Sequence, residues 1–78
     1  MFIEVIEANY VKEYILNIKL NNGQAGQVDL EDQLWGPMFE PLKDKAYFTK
    51  FTVSKIFGTI EWPNGADIAP DYFAEKLK

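Results

Sequence analysis

The chain has 78 residues, and we expect residues 1–78 to form one small domain. Twelve acidic residues against eight basic ones give a formal net charge of −4. The sequence contains no Cys and no His, and every basic residue is Lys. These absences exclude disulfides, thiolate metal sites, imidazole bases and the Arg fork that binds phosphate. Composition therefore disfavours an enzyme, a metal or cofactor site, and direct binding of nucleic acid, which needs a clustered positive face.

Apolar residues make up 47% of the chain and aromatic residues 15%, which is enough for a core without covalent staples. No apolar run approaches the roughly 20 residues of a membrane-spanning helix. Glu4 and Glu7 interrupt the segment where a signal peptide would be apolar. We expect a soluble, cytoplasmic protein that does not contact a membrane.

Three strands are predicted in the first part of the chain. Residues 2–8 are rich in β-branched and aromatic types, which favours a strand followed by a loop over residues 9–12. Apolar and polar residues alternate over residues 14–20, which indicates a strand with one buried face. The Asn-Gly pair that follows is typical of a type I′ hairpin turn, so residues 25–28 are predicted to pair antiparallel with residues 14–20.

The middle of the chain predicts short helical segments. Residues 29–37 indicate a helix that begins with Asp29 as its N-cap and stops at a Gly-Pro pair. One further helical turn is predicted over residues 39–42. Asp29, Glu31 and Asp32 lie too close together for a calcium loop, so helix capping is favoured over metal binding.

Two more strands are predicted over residues 50–54 and 56–62. In the second, Ile56, Ile60 and Trp62 are placed on one face. That face of the strand over residues 56–62 is therefore expected to pack against the core.

A closing helix is predicted from Pro70, because proline suits the first helical turn. Phe73 and Leu77, four residues apart, would form its buried edge. The elements together predict an α+β fold, in which an antiparallel sheet of about five strands carries short helices packed on one side.

The segment Trp62-Pro63-Asn64-Gly65, followed by Asp67, has the residue preferences of a type I turn. In one interpretation Trp62 fills the core and Asp67 accepts backbone N–H groups after the turn. In the other, the turn is a recognition surface, since Trp is a frequent interface anchor. Sequence alone favours the core interpretation.

The middle of the chain is also rich in large apolar residues, and it allows the same two interpretations, with core packing favoured for each residue: Trp35, Met38, Phe39, Tyr47 and Phe48. A domain of this size can lack the interior to hide all of them, which would leave an apolar patch for a partner. The candidate interaction surface comprises Trp62, Asn64, Gly65, Asp67, Trp35 and Phe39.

Glu61, Asp67 and Asp71 supply an alternative, because paired carboxylates can perform general acid–base catalysis. Catalysis requires that two of them converge in a concave pocket. Local roles at a strand face, a turn and a helix start explain the same three acids.

Several motifs follow one another along the chain. They are Asn22-Gly23, Val28-Asp29-Leu30, Phe39-x-Pro41-Leu42, Phe48, Phe51-x-Val53 and Thr59-Ile60-x-Trp62-Pro63-Asn64-Gly65-Ala66-Asp67-Ile68-Ala69-Pro70-Asp71. Their order resembles a bacterial family known as domain of unknown function 2442, over essentially the whole chain. The last motif is the specific part of the resemblance.

The resemblance implies a small α+β domain without established catalysis. Some members carry a helix-turn-helix domain after this module, and others are encoded beside small toxin-like proteins. It therefore implies a non-enzymatic protein-interaction module with a protein partner, in an antitoxin-like or regulatory role. The alternatives are a carboxylate-based enzyme and a DNA-linked regulator that requires a second chain. A homo-oligomer is also left open.

Overall fold

The computed structural model of the protein describes residues 2–78. Its larger sheet has three antiparallel strands in the order β1-β2-β3, namely β1 (Val5–Lys12), β2 (Ile15–Leu20) and β3 (Ala25–Asp29). β2 is central and pairs with both neighbours, so its residues are paired on both sides of the strand.

The two remaining strands, β4 (Thr52–Ser54) and β5 (Thr59–Glu61), form a separate antiparallel pair. The α+β class is thus confirmed, with the five strands divided between two sheets. The helical elements are short: two 3₁₀ segments, Glu31–Gln33 and Glu40–Lys43, and two helices, α1 (Lys45–Phe48) and α2 (Pro70–Lys76).

β1 is shifted along the chain relative to the prediction, because it begins at Val5 instead of residue 2 and residues 9–12 continue the strand instead of forming a loop. Tyr10 pairs with Leu16, and Lys12 with Ile15, so the pairing with β2 extends the strand through this segment, in which Tyr10 and Val11 are strand-favouring types. The connection is a two-residue turn in which Glu13 has a φ of +48°. No Gly or Asn marks that turn, which is why it was not predicted.

The second hairpin, between β2 and β3, is confirmed, but its predicted turn type is wrong. Gly23 N–H donates to the Leu20 carbonyl at 3.3 Å, and Leu20 N–H donates to the Gln24 carbonyl at 2.9 Å. Gly23 has a φ of +93°, whereas Asn22 keeps a negative φ. The connection is therefore a type I turn with a glycine bulge, because a type I′ turn needs positive φ at both central residues.

The core lies between β2, the second sheet and the helices. The predicted alternation in β2 is confirmed, since Leu16, Ile18 and Leu20 are all buried. Phe48 from α1 and Phe73 from α2 are fully buried against them. Burial of each such side chain contributes roughly 1.5–3 kcal/mol, so these residues supply much of the stability.

The helix predicted over residues 29–37 is wrong in extent, because only Glu31–Gln33 is helical. The Gly36-Pro37 pair follows Asp29 so closely that a helix between them has too few hydrogen bonds to offset the cost of nucleation. Asp29 does act near its predicted position, where its carboxylate accepts the N–H of Glu31 at 2.9 Å. The turn predicted over residues 39–42 corresponds to the second 3₁₀ segment.

The prediction that Ile56 lies on the core face of β5 is wrong. β5 begins only at Thr59, and the preceding residues turn back on themselves through a hydrogen bond of 2.8 Å from Gly58 N–H to the Ser54 carbonyl. Ile56 stands on that turn and is 87% exposed. Ile60 and Trp62 are buried, as predicted.

α2 begins at Pro70, as predicted, and buries Phe73 completely. Leu77 is half-buried and packs close to Gly26 of β3, where a Cβ would lie 2.9 Å from Leu77 Cδ2. The side chain of Gln24 donates to the carbonyl of Ala74 at 3.1 Å. α2 is thereby fixed across the β2–β3 hairpin.

Candidate functional site

The most distinctive local structure is the turn after β5. Gly65 N–H donates to the Trp62 carbonyl at 2.9 Å, and Trp62 N–H donates to the Ala66 carbonyl at 2.8 Å. The side-chain oxygen of Asn64 accepts the N–H of Ala66 at 3.0 Å. Gly65 has a φ of +90°, which favours glycine at this position. The predicted type I turn is therefore present, and a glycine bulge follows it.

The amide of Asn64 joins this turn to a distant part of the chain. Its Nδ2 donates to the carbonyl of Met38 at 2.9 Å, across 26 residues of sequence. Met38 also packs over Gly65, where a Cβ would lie 3.6 Å from Met38 Cε. The turn and the loop over residues 34–39 thus form one surface. We name Trp35, Met38, Asn64 and Gly65 the turn–loop surface.

The loop that presents Trp35 is held by its own hydrogen bonds. Leu34 is buried and anchors the start of the loop. Trp35 N–H donates to the Gln33 carbonyl at 3.0 Å, and the carbonyl of Gly36 accepts the N–H groups of Phe39 at 3.2 Å and Glu40 at 2.9 Å. These bonds fix the backbone on both sides of Trp35 and so leave its side chain pointing away from the core.

The loop contributes the apolar part of the turn–loop surface. Trp35 is 71% exposed and Met38 is 46% exposed, and both are large apolar side chains. Asn64 and Gly65 are also exposed, and both contact Met38. The arrangement can form apolar contacts at its centre and hydrogen bonds at its rim, which is the usual anatomy of a protein interface.

Trp62, one of the predicted surface residues, is buried in the structure. It is 2% exposed, and its indole N–H donates to the Phe48 carbonyl at 2.8 Å. Its ring centroid lies 5.8 Å from that of Phe48. Trp62 is therefore a core residue and no part of an exposed surface, in agreement with the interpretation that the sequence favoured. Phe39 is half-buried against the same core.

Asp67 does not have the local role expected for it. Within residues 2–78 its side chain makes no hydrogen bond, and Asn64 accepts the backbone N–H after the turn instead. Met38 lies in the apolar middle segment, where core packing was favoured, and no sequence signal marks it as the partner of the Asn64 amide.

The three acids of the catalytic alternative are only partly brought together. Glu61 and Asp67 pair as opposite residues of an antiparallel bridge, so their side chains share one face with Cβ atoms about 4.5–5.5 Å apart. Asp71 lies instead in the first turn of α2. Glu61 is half-buried and Asp67 exposed, so this carboxylate pair lies on an open ribbon.

Asp29, just before the first 3₁₀ segment, and Asp32, within it, act electrostatically on Tyr72. Its hydroxyl is buried and has no hydrogen-bond partner among residues 2–78. Burial raises the pKa of Tyr72, the carboxylates of Asp32 and Asp29 raise it further, and the nearby Gln33 side chain lowers it by a smaller amount. The phenol is thus protonated at neutral pH. In the described part of the chain, no three His, Cys, Asp or Glu side chains come together as metal ligands.

The described helices are also too short for a bilayer: in residues 2–78, none has both the length and the apolar character of a membrane span.

The model of a family described as "Protein of unknown function (DUF2442)" matches residues 5–78. The chain belongs to this family. The resemblance inferred from the motifs is thereby confirmed, and the match includes both the loop of Trp35 and the turn of Asn64. No curated protein and no solved structure matches the chain. Membership of DUF2442 gives the type of domain and assigns no activity.

Proposed function

We propose that this member of DUF2442 is a non-enzymatic protein-interaction module that binds a basic protein partner through the turn–loop surface. The observation that carries the proposal is the hydrogen bond from Asn64 to the Met38 carbonyl. It ties a rigid turn to the loop that exposes Trp35.

The exposed side chains of this surface suit a binding role. Trp and Met are enriched in protein interfaces, and Trp is among the residues that most often dominate binding energy. Trp35 leaves most of its apolar area in water, which opposes stability unless a partner covers it. The loop is already ordered by hydrogen bonds, so little conformational entropy is lost when it binds.

The charge around Trp35 selects a basic partner. Glu31 and Asp32 are exposed in the 3₁₀ segment that precedes it. Glu40 is exposed after it and forms a surface ion pair with Lys43 at 3.2 Å. Acidic groups therefore flank the apolar centre, and the whole chain carries a net charge of −4. Such a surface attracts a basic partner at long range and disfavours an acidic one.

The specific form that we propose is an antitoxin-like or regulatory partner of a small basic protein encoded by the adjacent gene, acting in the cytoplasm. The motifs shared with DUF2442 support this choice, because some members of that family are encoded beside small toxin-like proteins. In this role the chain contributes a docking surface, and any catalysis belongs to its partner.

Co-expression of the chain with the adjacent gene product tests the proposal. We expect the two to co-purify and to bind with micromolar or tighter affinity. The variant Trp35→Ser should raise the dissociation constant by roughly tenfold or more, because it removes the apolar anchor. Phe57→Ser is the matched control, since Phe57 and Trp35 are both 71% exposed, and Phe57 lies beyond the other end of β5.

Two results would contradict the proposal. One is the absence of a complex at micromolar concentrations of both proteins. The other is a complex that Trp35→Ser and Phe57→Ser weaken equally, which would show that the turn–loop surface is not the contact. In the antitoxin form, wild type but not Trp35→Ser should restore growth to cells that express the adjacent protein.

A carboxylate-based enzyme is the second candidate, and one observation favours it. Glu61 and Asp67 are opposite each other in the bridge, as acid–base catalysis by two carboxylates requires. Their position on an open ribbon speaks against it, because such catalysis needs a concave site. Turnover of a small substrate by wild type that is lost in Asp67→Asn would establish this function in place of the first.

A further inference from the structure

A second apolar feature lies at the opposite end of β5 from the turn–loop surface. It is a cleft of about 300 Å³ between the start of β1 and the turn that joins β4 to β5. Ile6 and Val53 line it with apolar atoms, and Glu4 and Lys55 line it with opposite charges.

Hydrogen bonds fix the turn on one side of the cleft. Val5 N–H donates to the Gly58 carbonyl at 2.8 Å, and Gly58 N–H donates to the Ser54 carbonyl at 2.8 Å. The Ser54 hydroxyl accepts the N–H of Phe57 at 3.1 Å. The backbone that carries Phe57 is therefore ordered beside the cleft.

The segment before β1 is fixed in a similar way on the other side. The side chain of Asn21 accepts the N–H of Glu4 at 3.0 Å and donates to the carbonyl of Phe2 at 2.9 Å. Glu4 packs so closely over Gly58 that a Cβ there would lie 2.7 Å from Glu4 Cγ. Both walls of the cleft are thus pre-formed.

Large apolar side chains that remain in water occur in the two chain segments that line the cleft. Phe57 is 71% exposed and Ile56 is 87% exposed, and Phe2 and Ile6 are each more than half exposed. An aromatic side chain offers about 150–250 Å² of surface and an isoleucine somewhat less, so these four together expose on the order of 600 Å². That total is comparable with the largest apolar patches of ordinary monomers, about 300–600 Å², which often mark binding sites.

We propose that this face binds a second copy of the same chain in a two-fold symmetric dimer. The Phe57 ring of one protomer enters the cleft of the other, and the reverse contact forms at the same time. A cavity of about 150 Å³ accepts a benzene-sized group, so the cleft has room for one phenyl ring.

Self-complementarity identifies a second copy as the occupant. An exposed ring on Phe57 and a cleft lined by the neighbouring Gly58 suit a two-fold interface, because each contact is then made twice. The charges agree with this arrangement, since Glu4 and Lys55 line the same cleft with opposite signs. In the proposed dimer the two-fold axis sets Glu4 opposite the partner's Lys55, so neither charge faces a like charge.

The available area sets the expected strength of the dimer. A standard interface buries about 800 Å² on each partner, and the four apolar side chains supply most of that area. We therefore expect a reversible dimer with a micromolar dissociation constant. The turn–loop surface lies beyond the other end of β5, so dimer formation leaves Trp35 free for its own partner.

Sedimentation equilibrium of the purified full chain, from about 1 to 500 µM, measures the oligomeric state. Wild type should convert from monomer to dimer across this range. Phe57→Ser should raise the dissociation constant by roughly tenfold or more, and Ile56→Ser should also raise it. Trp35→Ser is the matched control and should dimerise like wild type.

Charge reversal tests the proposed symmetry. Lys55→Glu alone should weaken the dimer, and the double variant Glu4→Lys with Lys55→Glu should restore it. Far-UV circular dichroism confirms that each variant is folded, which is expected because the changed side chains lie at the surface. A wild-type chain that is monomeric at every concentration would overturn the proposal, as would a dimer that survives Phe57→Ser. Either result leaves the proposed function of the turn–loop surface untouched.

Discussion

Two hairpin turns in this small domain contain the same Asn-Gly pair and have the same backbone structure. In each, the Gly N–H closes a type I turn, and the Gly itself has a φ near +90°. In each, the Asn side-chain oxygen accepts the N–H of the second residue after it, at 2.9 Å for Asn22 and 3.0 Å for Asn64.

The difference lies in the hydrogen bond that the side-chain nitrogen of each Asn donates. Asn22 Nδ2 donates to the side chain of Gln24, two residues away, at 2.7 Å. Asn64 Nδ2 donates to the carbonyl of Met38 and so joins the turn to another part of the chain. The same dipeptide thus specifies the same local turn, while the neighbouring segment decides whether the turn also organises a surface.

The largest expected effect concerns the residue that begins the second turn. Trp62→Ala should lower the free energy of unfolding by about 3–5 kcal/mol, because it leaves a cavity and an unpaired Phe48 carbonyl. At roughly 0.05–0.15 kcal/mol per residue, the whole domain has about 4–12 kcal/mol of stability, so this loss is a large fraction of it. The midpoint of urea unfolding should therefore move to a much lower urea concentration.

Trp35→Ala is the control for that measurement. Because Trp35 is mostly exposed, it should change the free energy of unfolding by no more than about 0.5 kcal/mol. Equal losses for the two tryptophans would contradict the assignment of one to the core and the other to the surface.

The two turn glycines should be equally sensitive to substitution. Gly23→Ala and Gly65→Ala should each cost about 1–2 kcal/mol of stability, because both residues need positive φ. Steric room for a Cβ does not distinguish the two glycines. A Cβ at Gly23 meets nothing within 4 Å, and one at Gly65 lies 3.6 Å from Met38 Cε. Thermal unfolding of both variants measures the costs, and a clear inequality would show that the turns differ in backbone structure.

The two asparagines should differ where the glycines do not. Asn64→Ala should destabilise the domain by about 1 kcal/mol more than Asn22→Ala, because it also removes the bond to Met38. Chemical unfolding of the two variants under identical conditions gives the difference directly. Equal losses would mean that the tie between the turn and the loop has no energetic weight.

The smallest effect concerns the strands that flank each turn. Glu61 is opposite Asp67 beside the second turn, whereas Lys19 is opposite Ala25 beside the first. Asp67→Asn should therefore stabilise the domain by about 0.2–1 kcal/mol, since it removes a like-charge pair. The gain should shrink at high salt, where surface charges are screened. A salt-independent loss of stability would contradict this explanation.

Local patterns account for the parts of the fold that the sequence predicted well. The alternation in β2, the hairpin at Gly23 and the start of α2 at Pro70 each depend on residues close together in sequence. The turn at Glu13 was not predicted, because it lacks Gly and Asn and is imposed by pairing between β1 and β2.

The candidate site was predicted only in part, for a related reason. The sequence placed both the Trp62 turn and the Trp35 loop in the candidate interaction surface, but it could not show that the two segments are in contact. Their contact depends on one amide donor and a carbonyl 26 residues away. Neither the burial of Trp62 nor the exposure of Trp35 follows from residue type, because tryptophan occurs in both environments.

The central claim is that Asn64 ties the turn to the loop and so presents Trp35 to a partner. Calorimetric titration of the adjacent gene product into Asn22→Ala and Asn64→Ala tests it most directly, because both variants lose the local turn bond and only the second loses the tie. We predict that Asn64→Ala raises the dissociation constant roughly tenfold while Asn22→Ala binds like wild type. Equal affinities for the two variants, or no binding by wild type, would contradict the account.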